Sequence, residues 1–415
     1  MQPSSVNSRL VIDGGVPIRR AAFPKWPVFD EHEERLLLEV LHSGEWGALK
    51  GSKTAEFQAR FAAYQEARFG ICVPNGTLAL ELALKALGVR HGDEVITTPY
   101  TFVATANAAI AIGAVPVFAD IDLDSYNLDP AEVEKVVTPR TRVILPVHMG
   151  GRPADMDALG AIATRYNLRI LEDACQAWGS EWQGRRVGAI GDLGTFSFQS
   201  SKNITAGEGG AIVTNDEALA ETCWSLHNVG RVKGGLWYHH EIVGWNLRIT
   251  EWQSAVLLAQ LERLDEQTER REANARYLIE GLSQVPGISP LQDDARITRQ
   301  SRHVFIMRYD PAKFGGRSRD QFIEALVSEG IDPVAPGYVP LNRVPGIRRA
   351  MSENGEAAAR GLSTGADGLP ELPACPRAEW ASQNTVWLYQ YALLGDRADM
   401  DDIVAAAAKI QRAWG

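Results

Sequence analysis

The stretch RVILPVHMGGRPADMDALGAIATRYNLRILEDA, residues 142–174, decides the fold. RVILPV reads as a strand, DMDALGAIATRYN as a helix, and LRILEDA as a second strand ending in acid. The same alternation runs outward from it. Upstream, TLALELALKALGV has apolar residues at helical spacing, and DEVITT is a short β-rich run. FVATANAAIAIG reads as a buried helix and AVPVFADI as a buried strand. Downstream come GTFSF and GAIVTN. Strands alternating with helices from about Ile71 to Thr214 predict an α/β domain, its sheet largely parallel with helices on both faces. Ligands of such sheets sit beyond the carboxyl ends of the strands.

After WNLRITEWQ the character changes. One long helical pattern, rich in Glu, Gln and Arg, runs to about Leu282 and links the sheet to a smaller C-terminal α+β domain. HVFIMRYD, RDQFIEALVSEGI and DMDDIVAAAAKIQRAW supply that domain's strand and helices. The expected division is an N-terminal arm at 1–25, a large domain at 26–262 and a small domain at 263–415. The Gly- and Pro-rich piece from Gly355 to Pro376 reads as an irregular loop.

Composition narrows the function. The chain has 415 residues, 45% hydrophobic and 23% charged, which is ordinary for a globular protein of two domains. Its formal charge of −10 argues against nucleic acid or an anionic membrane as the main partner. The four cysteines, Cys72, Cys175, Cys223 and Cys375, are far apart, so neither a zinc site nor a disulfide framework is expected. The N-terminus has no apolar signal region, and the most apolar run, Val103 to Ala119, is broken by Asn107, Gly113 and Pro116. A reducing, cytoplasmic setting is expected.

Two residues carry the first chemical argument. Asp173 ends a predicted central strand, where a side chain faces the ligand crevice. Taken alone it reads first as a helix cap. Lys202 lies between a β-like run and the cluster GEGG in FSFQSSKNITAGEGGAIVTND, residues 196–216, with no acidic neighbour in sequence. Its glycines follow it, so it is not the lysine of a phosphate-binding P-loop. A lysine that forms a Schiff base and a carboxylate that holds a pyridinium N–H are the two groups that a pyridoxal phosphate (PLP) enzyme needs. Gly76, Thr77 and Leu78 would open a helix whose free N–H groups hold a phosphate, or would form an ordinary cap. Phe102 follows a strand, where it would stack on a cofactor ring or sit in the core. Ser197 would add a phosphate contact or be a plain strand hydroxyl. Asn246 reads locally as a turn or helix-start residue.

The ordered blocks NGTLALELAL, GDEVITTPYTFVATANAA, VHMGGRPADMDAL, ILEDACQAWG, FSFQSSKNITAGEGGAIVTND and WNLRITEWQSA resemble the DegT/DnrJ/StrS family of PLP-dependent aminotransferases, which act on keto-sugars and keto-cyclitols. The resemblance runs from about Pro24 to the C-terminus. It implies the fold-type I, aspartate aminotransferase-like architecture, with Lys202 as the Schiff-base lysine and Asp173 as partner of the pyridine nitrogen. It implies Phe102 as the stacked aromatic, and Gly76, Thr77, Leu78 and Ser197 as the phosphate site. Gln176 falls where a residue, often His, contacts the cofactor's phenolic oxygen. Asn246 matches a residue given to the phosphate by the neighbouring subunit, which implies a homodimer with shared sites.

Gln176, VHMGG and Gln390 depart from the commoner pattern. They point toward the branch similar to glutamine-dependent scyllo-inosose aminotransferases, with L-glutamine or L-glutamate as donor. The rivals are a PLP-dependent sugar dehydratase of the same fold, which carries His in place of the lysine, and a catalytically silent PLP-binding regulatory protein. The intact Lys202 and Asp173 argue against both. The amine has to be neutral to attack and to abstract protons, which burial promotes. The glycines after it would let the backbone approach the cofactor.

Overall fold

The computed structural model describes residues 9–415, and residues 1–8 of the expected arm lie outside the described residues. The first five strands of the central sheet are β1 (Phe69–Val73), β2 (Glu94–Thr97), β3 (Val115–Phe118), β4 (Thr141–Leu145) and β5 (Arg169–Asp173). A small hairpin, β6 (Glu181–Trp182) and β7 (Arg185–Arg186), precedes the last two, β8 (Leu193–Ser197) and β9 (Gly210–Thr214). The spatial order is β1-β9-β8-β5-β4-β2-β3. Strands β3, β2, β4, β5 and β8 pair in parallel, and β9 lies antiparallel between β8 and β1. The largely parallel sheet is as expected, and β5 is its middle strand.

The sheet is apolar because both faces are covered. Its helices are α1 (Glu31–Ser43), α2 (Lys53–Tyr64), α3 (Gly76–Ala86), α4 (Ala104–Ala111), α5 (Pro130–Val136), α6 (Met156–Tyr166) and α7 (Glu217–His227). Successive strand residues point to opposite faces. Ile144 of β4 therefore joins a core with Phe57, Phe61 and Leu159, while Val143 and Leu145 join another with Leu80, Leu84 and Cys223. The buried helix read in FVATANAAIAIG is the shorter α4. Phe102 lies outside it and is 55% exposed.

The long helical pattern is α8 (Glu251–Leu282), which starts where Thr250 and Gln253 form a reciprocal capping box. Its first half puts Leu257, Leu258 and Leu264 into the core of the large lobe. Its last turns put Leu278 and Leu282 into that of the small lobe. The expected edge at 262/263 thus falls inside one continuous helix.

The small-lobe strands β10 (Ile288–Pro290), β12 (Val304–Tyr309), β13 (Val334–Ala335) and β14 (Thr385–Tyr389) form an antiparallel sheet in the order β10-β12-β14-β13, whereas β11 (Ile297–Arg299) pairs with β6. Helices α9 (Arg319–Ser328), α10 (Pro345–Glu353), α11 (Glu356–Ala359), α12 (Pro376–Asn384) and α13 (Arg397–Trp414) complete the lobe. The piece read as an irregular loop holds α11 and a turn bridged between Thr364 and Pro370, because four residues without Gly or Pro suffice for one helical turn. Phe305 and Met307 of β12 face the small-lobe core, while Val304 and Ile306 join a cluster with Tyr100, Tyr126 and Trp387. That cluster seals the lobes together beneath the cleft. No helix among the described residues is long and apolar enough to cross a membrane.

Candidate active site between the lobes

The carboxyl ends of β5 and β8 open into a cavity of about 910 Å³. It is lined by eight of the nine predicted residues: Gly76, Thr77, Leu78, Phe102, Asp173, Gln176, Ser197 and Lys202. Strand alternation explains the middle of it. Glu172 turns away and binds the backbone N–H groups of Gly188, Ile190 and Gly191, with His148 Nε2 at 2.9 Å. Asp173 turns inward, 4% exposed. Its Oδ2 accepts from the Thr105 hydroxyl at 2.8 Å and its Oδ1 from the Cys175 N–H at 3.2 Å.

Lys202 follows β8 in a turn whose N–H donates to Gln199 O at 2.9 Å. Lys202 is half-buried and lines the cavity. Burial lowers its pKa from the usual lysine value, against the opposing pull of Cys175 and Asp173. The absence of an acidic neighbour in sequence is therefore not an absence in space: Asp173 acts on Lys202 across the sheet, and desolvation outweighs it.

The start of α3 offers fewer donors than expected. Asn75 is the N-cap, and its Oδ1 accepts from Leu78 N–H at 2.9 Å. Leu78 N–H is thus engaged, whereas the N–H groups of Gly76 and Thr77 point out of the first turn, where no carbonyl precedes them. Gly76 is required by space. A Cβ there would come within 2.8 Å of Ser197 Cβ and 3.0 Å of Cys175 Sγ. Of the glycines after Lys202, Gly210 is needed for packing. A Cβ on Gly210 would meet the Asn75 carbonyl at 2.5–2.6 Å, so that glycine lets β9 approach the α3 entry loop. The donors at the helix start, the inward carboxylate and the exposed Phe102 ring fit a phosphorylated aromatic ring lying beside Lys202.

Gln176 is fixed at both ends of its amide. Oε1 accepts from Gly150 N–H at 2.8 Å and Nε2 donates to the Tyr338 hydroxyl at 3.2 Å. Asn246 does not line the cavity. It is exposed and forms an isolated bridge with Asn228. Gln390 lies away from the cavity too, buried, with its Oε1 accepting from Arg271 Nε at 3.0 Å and Nη2 at 2.6 Å.

Sequence reading missed Thr105, His303, Tyr338, Trp387 and Tyr389. Thr105 left a signal, a hydroxyl three residues past Phe102 in an alanine-rich helix. The other four come from the small lobe, and only folding brings them to Lys202.

A sequence profile of the DegT/DnrJ/EryC1/StrS aminotransferase family matches residues 27–408. The L-glutamine:2-deoxy-scyllo-inosose aminotransferase of Micromonospora echinospora is 40% identical over 420 residues, 97% of this chain and 97% of that protein. The 3-amino-5-hydroxybenzoate synthase of Amycolatopsis mediterranei (strain S699) is 38% identical over 91% of this chain and 94% of its own. A crystal structure of 3-amino-5-hydroxybenzoic acid synthase superposes with a TM-score of 0.84 at 36% identity, covering 95% of this chain and 99% of that one.

Proposed function

The chain belongs to the DegT/DnrJ/EryC1/StrS aminotransferase family, and from that premise we propose that it moves an amino group from L-glutamine to a keto-cyclitol, using pyridoxal phosphate. The observation that carries the reading is the meeting of Lys202, Asp173, Phe102 and the α3 start in one cavity. The bound cofactor supplies an aldehyde that takes up nitrogen and a ring that accepts the electrons left when a Cα proton departs. The protein does the rest. Lys202 Nζ, favoured in its neutral form by burial, takes the proton from the donor's Cα and later returns one at the acceptor carbon. Asp173, oriented by Thr105 and the Cys175 N–H, would hold the ring N–H. Gly76 and Thr77 N–H and the hydroxyls of Thr77 and Ser197 would hold the phosphate at the positive end of α3. Phe102 would supply the aromatic face for the ring.

The acceptor class rests on the walls. Tyr338, Trp387 and Tyr389 give a largely aromatic surface, and Lys202 is the only Lys or Arg among the lining residues. An uncharged polyol suits that surface better than an acceptor carrying a pyrophosphate. A homodimer with shared sites rests on Asn246. It is exposed next to a segment that presents Tyr238 and Val243, each 85% exposed, to solvent, as an unpaired subunit face would.

The test incubates the purified protein with pyridoxal phosphate, scyllo-inosose and L-glutamine labelled with ¹⁵N at the α-amine. Labelled amino-cyclitol is the expected product. Loss of water from the cyclitol, or from a keto-sugar supplied in its place, without gain of ¹⁵N would mark a dehydratase and overturn the reading.

A further inference from the structure

Behind Lys202 sits a hydrogen-bond chain that fixes the state of a cavity histidine. Asn203, fully buried, donates from Nδ2 to the Ser301 carbonyl at 2.7 Å. A carbonyl cannot donate, so that nitrogen is assigned and Asn203 Oδ1 faces the other way as an acceptor. It lies 3.1 Å from His303 Nδ1. Nδ1 therefore carries the proton. Burial above all, with the Arg271 guanidinium, holds the His303 pKa well below the usual histidine value, so the ring is neutral. A neutral ring protonated at Nδ1 has its lone pair at Nε2. His303 lines the cavity, its ring set edge-on to Trp178 at 5.7 Å between centroids, and its Nε2 has no partner among the described residues.

Such a nitrogen is an acceptor only. It repels carboxylate and phosphate oxygens and takes an O–H or N–H. The phosphate donors and Phe102 come from the large lobe, while His303, immediately before β12, and Val304, its first residue, line the facing wall. We propose that His303 Nε2 accepts a hydrogen bond from a hydroxyl of the keto-polyol, making His303 a specificity-determining residue for the acceptor. The inference rests on the acceptor class proposed above.

His303→Phe keeps a ring against Trp178 and removes the acceptor, and His303→Gln returns an oxygen. The experiment measures KM and kcat for L-glutamine and for scyllo-inosose in both variants, with thermal midpoints. His303→Phe is expected to raise KM for the cyclitol roughly threefold to tenfold, the loss of one uncharged hydrogen bond, with KM for L-glutamine unchanged. His303→Gln is expected to recover part of it. In a series of keto-cyclitols each lacking one hydroxyl, one analogue should bind wild type more weakly but His303→Phe no more weakly than the parent does. A KM change for L-glutamine alone would assign Nε2 to the donor's amide and overturn the proposal. A fall in kcat with both KM values unchanged would overturn it as well. A wild-type enzyme that aminates no keto-polyol overturns this inference and the functional reading together. Active wild type with unaltered variants overturns this inference alone.

Discussion

The Thr105 hydroxyl donates to Asp173 Oδ2 at 2.8 Å across 68 residues of chain. Because its proton is committed there, the 3.1 Å contact between Thr101 Oγ1 and Thr105 Oγ1 has Thr101 as donor. Two residues flanking Phe102 and the first turn of α4 thereby orient the carboxylate from outside its own strand.

That relay predicts a graded pair of losses. Thr105→Val keeps the shape and removes one hydrogen bond to a charged group, worth about 1.5–3 kcal/mol, so kcat should fall roughly tenfold to hundredfold. Asp173→Asn removes the charge itself and should cost several powers of ten while cofactor still binds. Initial rates at saturating substrates measure both. Thr105→Val at the wild-type rate would mean that Asp173 holds its position unaided.

Gly76→Ala should weaken cofactor binding by about tenfold or more, because its Cβ would stand 2.8 Å from Ser197 Cβ and the helix entry would shift. Ser197→Gly removes that Cβ along with the hydroxyl placed on the phosphate, so it should cost less binding in the Gly76→Ala chain than in wild type. Equilibrium dialysis with pyridoxal phosphate reads the two. Additive effects would show that the clash does not govern the site.

The legible part of this molecule was what periodicity carries. The β-α alternation around residues 142–174 placed β5 at the centre, and with it Asp173 at a carboxyl end. What sequence spacing does not carry is which donor is already in use. Of the two readings of the α3 start, phosphate site or ordinary cap, spacing alone could not show that Leu78 N–H goes to the Asn75 side chain while those of Gly76 and Thr77 do not. Nor does spacing carry contacts between lobes: His303 lies 101 positions from Lys202, and its place in the cavity depends on where α8 delivers β12. The expected edge at 262/263 followed composition, which changes gradually along a helix serving both lobes.

Phe102→Ala separates a stacking residue from a core residue. The side chain is 55% exposed, so the apoprotein should lose less than about 0.5 kcal/mol of stability. The cofactor Kd should rise roughly twofold to tenfold, the scale of one aromatic stack. Thermal melts of apoprotein and titration with pyridoxal phosphate give the two numbers. A large loss in the apoprotein would return Phe102 to the core.

Glu33 ties α1 to α8 and makes stability depend on acid. It completes the capping box with Asp30 and accepts from Arg263 at 2.5 and 2.7 Å and from Gln260 at 2.7 Å. Burial alone would raise its pKa. The Arg263 guanidinium, the Asp30 N–H and the Gln260 amide outweigh it and bring it to about 2. A carboxyl lowered on folding stabilises above its unfolded pKa, the ordinary value of 4.5, and loses that contribution as pH falls toward about 2. Glu33→Gln should therefore lower stability at pH 7 by roughly 1–3 kcal/mol. The gap from wild type should narrow between pH 4.5 and 2. Urea midpoints against pH at one protein concentration measure it, and a gap independent of pH would assign the effect to packing.

Asn246 stands outside the cavity of its own chain, exposed, while Gly76 and Thr77 inside it have N–H groups open to a phosphate. If a partner subunit supplies Asn246, then Lys202→Ala and Asn246→Asp strike different sites of a mixed dimer. Each homodimer carries its lesion twice and should be inactive, the first for want of the amine and the second because a carboxylate faces the phosphate. In a heterodimer, two-fold symmetry puts both lesions in one site and neither in the other. Mixing the two inactive proteins under conditions that exchange subunits should then restore activity, up to about half a wild-type site per chain in each heterodimer. Mass spectrometry of differently tagged chains verifies exchange, and ¹⁵N transfer reads activity. Exchange without recovery would mean that Lys202 and Asn246 serve one site from one chain, and the exposed segment before Asn246 would have to fold inward to bring them together.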